Sequence, residues 1–169
     1  MPVLEKCWTP FLRYSWTNVK YGSYYAATYM VVFHFAFLIY ALYVICDGQT
    51  TFFGPYFNQD KIGSQAVSIF TIVFSGCLLL FTAVLAYAVK KANRYLFIPW
   101  LIGTVLEVFL IIALGVWFIA QYYSNIYSIF TAIVLWCFDG LHIYCLLCVI
   151  SQYQVLQDSE EPRFHELSW

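Results

Sequence analysis

Residues 96 to 120 read LFIPWLIGTVLEVFLIIALGVWFIA and contain one ionisable side chain, Glu107. A helix needs about 20 apolar residues to cross the hydrocarbon core of a bilayer. Lipid offers the backbone no hydrogen-bond partner outside the helix. The stretch is apolar on all sides, which excludes the period-two alternation of a membrane β-strand. It therefore predicts a transmembrane helix.

Three further blocks have the same character, and together they predict an all-α membrane protein, a bundle of four transmembrane helices. The predicted spans are residues 22–46, 65–89, 96–120 and 126–150, between an N-terminal segment 1–21 and an acidic tail 151–169. The composition is 63% hydrophobic and 10% charged. Soluble domains carry about 25% charged residues, so the composition favours a lipid bilayer as the main surrounding of the chain.

The basic residues predict the orientation of the spans. Seven of the eight lie before the first predicted span, between the second and third, or in the tail: Lys6, Arg13, Lys20, Lys90, Lys91, Arg94 and Arg163. Only Lys61 falls in a predicted outer loop. Because basic residues near spans stay cytoplasmic, both termini are expected in the cytoplasm. The net charge of -1 gives no reason to expect nucleic acid as a partner.

Ionisable residues inside the predicted spans are the main candidates for a functional site. His34, Glu107 and Asp139 fall near the middle of their spans, and His142 shares a helix face with Asp139. Charged groups at this depth are costly and generally face a partner or water. The four residues are interpreted either as structural hydrogen-bonding groups between helices or as a proton or cation site. Their spacing matches no known metal motif, so no metal or cofactor is expected.

Small and polar residues recur at helical spacing along the second predicted span. Ser68, Thr71, Ser75 and Gly76 belong to this set. Small side chains let helices approach closely in a membrane, so this face is predicted to be a helix-packing surface. A hydrophilic pore lining is the alternative interpretation of the same residues.

Two short motifs lie near the end of the chain. Cys145 and Cys148 have CxxC spacing on an apolar helix, which is interpreted as coincidence or S-palmitoylation rather than redox chemistry. Tyr153 and Leu156 bound the sequence YQVL, which fits a tyrosine-based sorting signal. No nucleophile elbow, phosphate-binding glycine loop or zinc protease motif is present, so an enzyme is not expected.

The chain resembles an arthropod family of small four-span membrane proteins that includes the Pasiflora septate-junction proteins. That family is distantly similar to the lysosome-associated LAPTM transmembrane proteins. The resemblance rests on the spacing of the spans, the basic inner loop 90–94, the following YLFIPWL at 95–101 and the short acidic tail. The first predicted outer loop lacks the cysteine pair of claudins, and the second is too short for a tetraspanin.

The resemblance to the Pasiflora family implies a non-enzymatic membrane protein that makes lateral contacts in cell junctions at the plasma membrane. Its partners would be other membrane proteins, either junction components or further copies of the chain. The LAPTM similarity implies instead a sorting protein of endosomes and lysosomes, although the tail lacks the PPxY motif of that family. The remaining alternative is a small proton-coupled transporter that uses the buried Glu107 and Asp139.

Overall fold

The computed structural model describes residues 3–9, 16–46, 48, 61–122 and 126–166. These residues form two short strands, four long helices and one 3-10 helix. In chain order they are β1 Lys6–Trp8, β2 Trp16–Asn18, α1 Val19–Ile45, α2 Lys61–Lys91, the 3-10 helix Arg94–Phe97, α3 Ile98–Tyr122 and α4 Ile126–Glu166.

Four stretches of these helices are long and apolar enough to cross a membrane. They are Val19–Ile45, Gln65–Lys91, Arg94–Ala120 and Ile126–Ser159. Each overlaps one predicted span almost completely. The predicted all-α membrane fold with four spanning helices is therefore confirmed.

The ends of two helices differ from the predicted boundaries. α1 begins at Val19, inside the segment assigned to the N-terminus, and α4 continues beyond residue 150 through most of the predicted tail to Glu166. No glycine or proline occurs between Gly140 and Pro162, so nothing in the sequence ends the helix where the apolar block ends. The acidic tail is thus largely a continuation of the fourth spanning helix.

The chain divides into two compact units, one of residues 27–83 and one of residues 1–26 together with 84–169. In the first unit, aromatic rings stack along single helices. Phe33 lies 5.9 Å from Tyr29 and 4.7 Å from Phe37 between ring centroids, and Phe70 lies 5.7 Å from Phe74. These residues are one turn apart on their helix, which places their rings over one another.

In the second unit, α3 and α4 pack along each other. Buried side chains recur every three or four residues from the 3-10 helix into α3, at Phe97, Trp100, Thr104 and Glu107. The buried Gly115 and Phe118 continue the same face two turns further on. The Ser128 hydroxyl of α4 donates to the Phe118 carbonyl of α3 at 2.7 Å. A Cβ atom at Gly115 would overlap the Trp136 indole, so the close approach of the two helices there depends on glycine.

A tight turn leads from α2 into α3. Ala92 has φ of 53°, in the left-handed region that commonly ends a helix. The Asn93 side-chain oxygen accepts a hydrogen bond from the backbone N–H of Tyr95 at 3.1 Å and caps the 3-10 helix. Lys90 and Lys91 end α2 and Arg94 begins the 3-10 helix. We call this end of the second unit the basic end.

The N-terminal strands form a small hairpin that is attached to α4. β1 and β2 pair antiparallel, with Cys7 opposite Thr17. The Leu4 N–H donates to the Ser151 hydroxyl at 2.9 Å, and the Tyr144 hydroxyl donates to the Trp8 carbonyl at 2.8 Å. We call residues 3–9 and 16–18 the N-terminal clasp. It places the beginning of the chain beside the second half of α4, at one end of the unit.

Candidate polar site in the spanning helices

Glu107 and His142 form the centre of a polar site between α3 and α4. Glu107 Oε1 lies 3.5 Å from His142 Nε2, and their side chains are 5% and 0% exposed. Both residues occupy the buried faces by which the two helices pack. The separation is that of an ion pair when the imidazole carries its second proton.

A backbone carbonyl fixes the orientation of the His142 ring. His142 Nδ1 lies 2.8 Å from the Phe138 carbonyl oxygen. A carbonyl oxygen only accepts hydrogen bonds, so Nδ1 must carry a proton. Nε2 is therefore left to face Glu107, either as the donor of an imidazolium or as the acceptor from a protonated carboxyl. In both cases one proton is shared within the pair, and the pair as a whole is neutral.

Asp139 lies one helical turn before His142 and is 4% exposed. Among the described residues, its Oδ1 atom has no hydrogen-bond partner. Because Glu107 and His142 balance each other, an ionised Asp139 would carry one uncompensated negative charge. An aspartate near the centre of a spanning helix costs at least about 2.5 kcal/mol. Asp139 is therefore the group of this site that needs a further partner to neutralise its charge.

Two residues that the sequence analysis did not single out extend the site. Trp100 and Thr104 are fully buried on the same face of α3 as Glu107, at spacings of seven and three residues. Within the described part of the chain, Trp100 Nε1 and Thr104 Oγ1 have no hydrogen-bond partner. In the sequence, their spacing from Glu107 could have identified them, because it places all three residues on one helix face. The polar atoms thus form a line along α3 toward the basic end.

His34, the fourth residue of the predicted cluster, lies in the other compact unit. It is buried and contacts the edge of Phe33, with ring centroids 5.5 Å apart. The structure thus brings together three of the four predicted residues within one unit. The membership of His34 in the cluster stays a prediction.

The residues of the predicted packing face of α2 differ in how deeply they are buried. Ser68 and Ser75 are buried, and the Thr71 hydroxyl donates to the Val67 carbonyl of its own helix at 2.9 Å. A Cβ atom at Gly76 would meet no heavy atom within 4 Å. The buried Thr82 continues the seven-residue spacing of Ser68 and Ser75. The role of this face in helix packing stays a prediction.

Cys148, one of the cysteines of α4, lies beneath the N-terminal clasp. Cys145 and Cys148 are both buried, and Cys148 packs against Cys7 and Val19. The neighbouring thiol of Cys148 and the burial of the side chain raise the pKa of Cys7 well above its usual range. S-palmitoylation of Cys145 and Cys148 stays a prediction, and in this conformation both thiols are covered.

The tyrosine motif lies on a helix. Tyr153 and Leu156 belong to α4 and are half-buried. Short linear motifs that add to a sheet edge are bound as extended segments, so recognition in that form would require α4 to unwind here. The sorting role of this motif stays a prediction.

No group of three or more histidine, cysteine, aspartate or glutamate side chains among the described residues could hold a metal ion. Comparisons of the chain with protein-family models, with curated proteins and with solved structures each find no match.

Proposed function

We propose that this chain is a non-enzymatic integral membrane protein that serves as a structural component of cell junctions in the lateral plasma membrane. It acts through contacts between its own helices and those of neighbouring membrane proteins. One observation carries the proposal: α3 turns its polar side chains toward α4 and presents an apolar groove on its opposite face.

The groove is open and has a volume of about 670 Å³. It extends over the part of α3 between Leu101 and Ala113, which is roughly 18 Å of helix. Its lining is entirely aliphatic or aromatic: Leu101, Ile102, Val105, Leu106, Phe109, Leu110 and Ala113. The lining contains no group that would bind a polar ligand.

Shape decides what occupies such a groove in a membrane. Lipid tails are as apolar as leucine, so apolar contact alone does not drive two helices together. Complementary packing of side chains does drive helices together, because a well-fitted helix makes more van der Waals contacts with the groove than mobile lipid does. A transmembrane helix of a neighbouring protein is therefore the proposed occupant of the α3 groove.

Localisation of the endogenously tagged protein in polarised epithelium tests this function, combined with co-purification of its neighbours. We expect enrichment at lateral junctions and recovery of junction proteins. A lysosomal or endosomal pattern that is lost in the Tyr153→Ala variant would overturn the junction proposal and support the LAPTM-like alternative.

A small proton-coupled transporter is the second candidate. The buried Asp139 favours it, since its Oδ1 atom has no hydrogen-bond partner among the described residues. Glu107→Gln distinguishes the two functions. The substitution should abolish transport in reconstituted vesicles if Glu107 moves protons, and leave junction localisation largely intact if Glu107 is structural.

A further inference from the structure

We propose that Asp139 is a proton-binding site, and that it exchanges its proton with the aqueous phase at the basic end through water held along the α3–α4 interface. This inference goes beyond the proposed junction function and does not depend on it. It rests on the charge balance of the site and on three buried polar atoms that have no hydrogen-bond partner among the described residues, one on α4 and two arranged along α3.

The charge balance of the site allows one bound cation. Among the described residues, His142 from its own helix and Glu107 from α3 interact electrostatically with Asp139. His142 and Glu107 share one proton and form a neutral pair, since Nδ1 of His142 is already committed to the Phe138 carbonyl. An ionised Asp139 would then leave the site with one negative charge inside the spanning helices. One bound proton removes that charge.

A proton fits this site better than a metal cation. Calcium takes six to eight oxygen ligands and magnesium about six, whereas the described site offers the carboxylates of Asp139 and Glu107 and the hydroxyl of Thr104. No metal-binding group of three or more histidine, cysteine or acidic side chains occurs in the described part of the chain. A proton needs only one oxygen and a hydrogen-bond acceptor.

The unpartnered atoms on α3 mark the route of exchange. Thr104 Oγ1 lies about one helical turn from Glu107 and Trp100 Nε1 lies one turn further toward the basic end. Together they cover roughly 10 Å of helix. Buried polar atoms that lack protein partners are commonly hydrogen-bonded to internal water. Water at these positions would connect the Glu107–His142 pair with the basic end.

The exchange step is a simple proton relay. A hydronium ion at the basic end gives a proton to the first internal water, and each water releases one proton as it accepts another. The Glu107–His142 pair receives the proton and passes one to the Asp139 carboxylate, which becomes a carboxylic acid. At each intermediate group one bond to hydrogen forms and another breaks, so the net change is one new O–H bond on Asp139 and one positive charge added to the site.

Infrared spectroscopy of the full-length protein in lipid vesicles tests the proton on Asp139. We expect a carbonyl stretching band of a protonated carboxyl group at neutral pH that shifts in D₂O and loses intensity in the Asp139→Asn variant. The control is Asp158→Asn, which changes an exposed aspartate and should retain the band. An unchanged band in Asp139→Asn, or a carboxylate band of Asp139 that responds to sodium or potassium, would overturn the proposal.

The rate at which this band shifts in D₂O tests the route. Thr104→Val removes the hydroxyl while keeping the shape, and it should slow the exchange about tenfold, the factor that corresponds to loss of one ordinary hydrogen bond. The control is Thr82→Val, since the buried Thr82 hydroxyl already donates to the Leu78 carbonyl at 2.8 Å. Equal exchange rates in wild type and Thr104→Val would contradict the route.

Discussion

Glu107 contacts His142 because both residues lie on the buried faces along which α3 and α4 pack. The sequence predicted part of this arrangement. The three-residue spacing of Asp139 and His142 showed that they share a helix face. Which residue of α3 contacts His142 depends on how α3 and α4 are aligned along each other. A local sequence pattern does not contain this information. Trp100 and Thr104 were missed because a single tryptophan or threonine in an apolar span is ordinarily packed rather than paired.

Substitutions at Glu107 should separate loss of charge from loss of the hydrogen bond. Glu107→Gln keeps a polar partner for His142 and should lower the free energy of unfolding by about 1 kcal/mol. Glu107→Leu leaves His142 buried without that partner and should cost about 3 kcal/mol or more. Unfolding of the purified protein by SDS in mixed micelles measures both values.

The double variant Glu107→Leu with His142→Leu is the control for this pair. Replacing both partners by apolar residues leaves no buried polar group in need of a partner, so much of the lost stability should return. Equal effects of Glu107→Gln and Glu107→Leu would show that the contact between Glu107 and His142 does not stabilise the α3–α4 pairing.

Gly115 should matter for the approach of α3 to α4. In Gly115→Ala the new methyl group would overlap the Trp136 indole, and overpacking of this kind costs about 1–3 kcal/mol. Gly140→Ala is the matched control, since a Cβ atom there meets nothing within 4 Å. It should be neutral or stabilising, because alanine favours a helix by up to about 1 kcal/mol. Thermal unfolding in detergent compares the two, and equal midpoints would contradict the close packing.

The N-terminal clasp is the element that the sequence predicted least well. Its strands have only three residues each, too few to show the alternation by which strands are recognised. The clasp is held by contacts with α4 more than one hundred residues away in the chain, such as that between Leu4 and Ser151. Contacts of this separation cannot be derived from local composition. The long helices, in contrast, follow directly from their apolar length.

Removal of the clasp should expose Cys148. In a variant whose only cysteine is Cys148, a maleimide should react slowly while the clasp is present and rapidly after deletion of residues 1–9. The physical reason is that Cys148 is 1% exposed and packs against Cys7. A variant that retains only the exposed Cys46 provides the reference rate in detergent. Rapid labelling of Cys148 with the clasp intact would contradict this docking.

The pH dependence of labelling should distinguish Cys7 from an ordinary cysteine. Maleimides react with the thiolate, and an ordinary cysteine ionises with a pKa of about 8.5. The neighbouring Cys148 thiol and the burial of the side chain raise the pKa of Cys7, so Cys7 should remain protonated through the pH range in which an ordinary cysteine ionises. In a variant that retains only Cys7 and Cys148, labelling of Cys7 should therefore increase only at a higher pH than labelling of a free cysteine peptide. Coincident pH profiles of Cys7 and the peptide would contradict the raised pKa.

Across the whole molecule, four membrane-spanning helices were predictable because the bilayer sets one length for every span. The structure adds that the N-terminal clasp and the second half of α4 lie at one end of the second unit. That both termini lie on one side of the membrane stays a prediction. The positive-inside pattern assigns that side to the cytoplasm, which stays a prediction.

The α3 groove connects the fold with the proposed function. Val105 lines the groove, whereas Val73 is exposed on α2. Val105→Phe and Val73→Phe make the same change of side chain, but only the first fills the groove. Both variants should be expressed at the wild-type level, since each places a larger apolar side chain on an exposed apolar surface.

The decisive measurement is the fraction of each tagged variant at the lateral junctions of polarised epithelium after replacement of the wild-type protein. The proposed function predicts that Val105→Phe leaves the junctions and loses its co-purified membrane neighbours, while Val73→Phe keeps both. If Val105→Phe remains at the junctions with the same neighbours as wild type, the α3 groove is not the contact surface and the proposed mechanism is wrong.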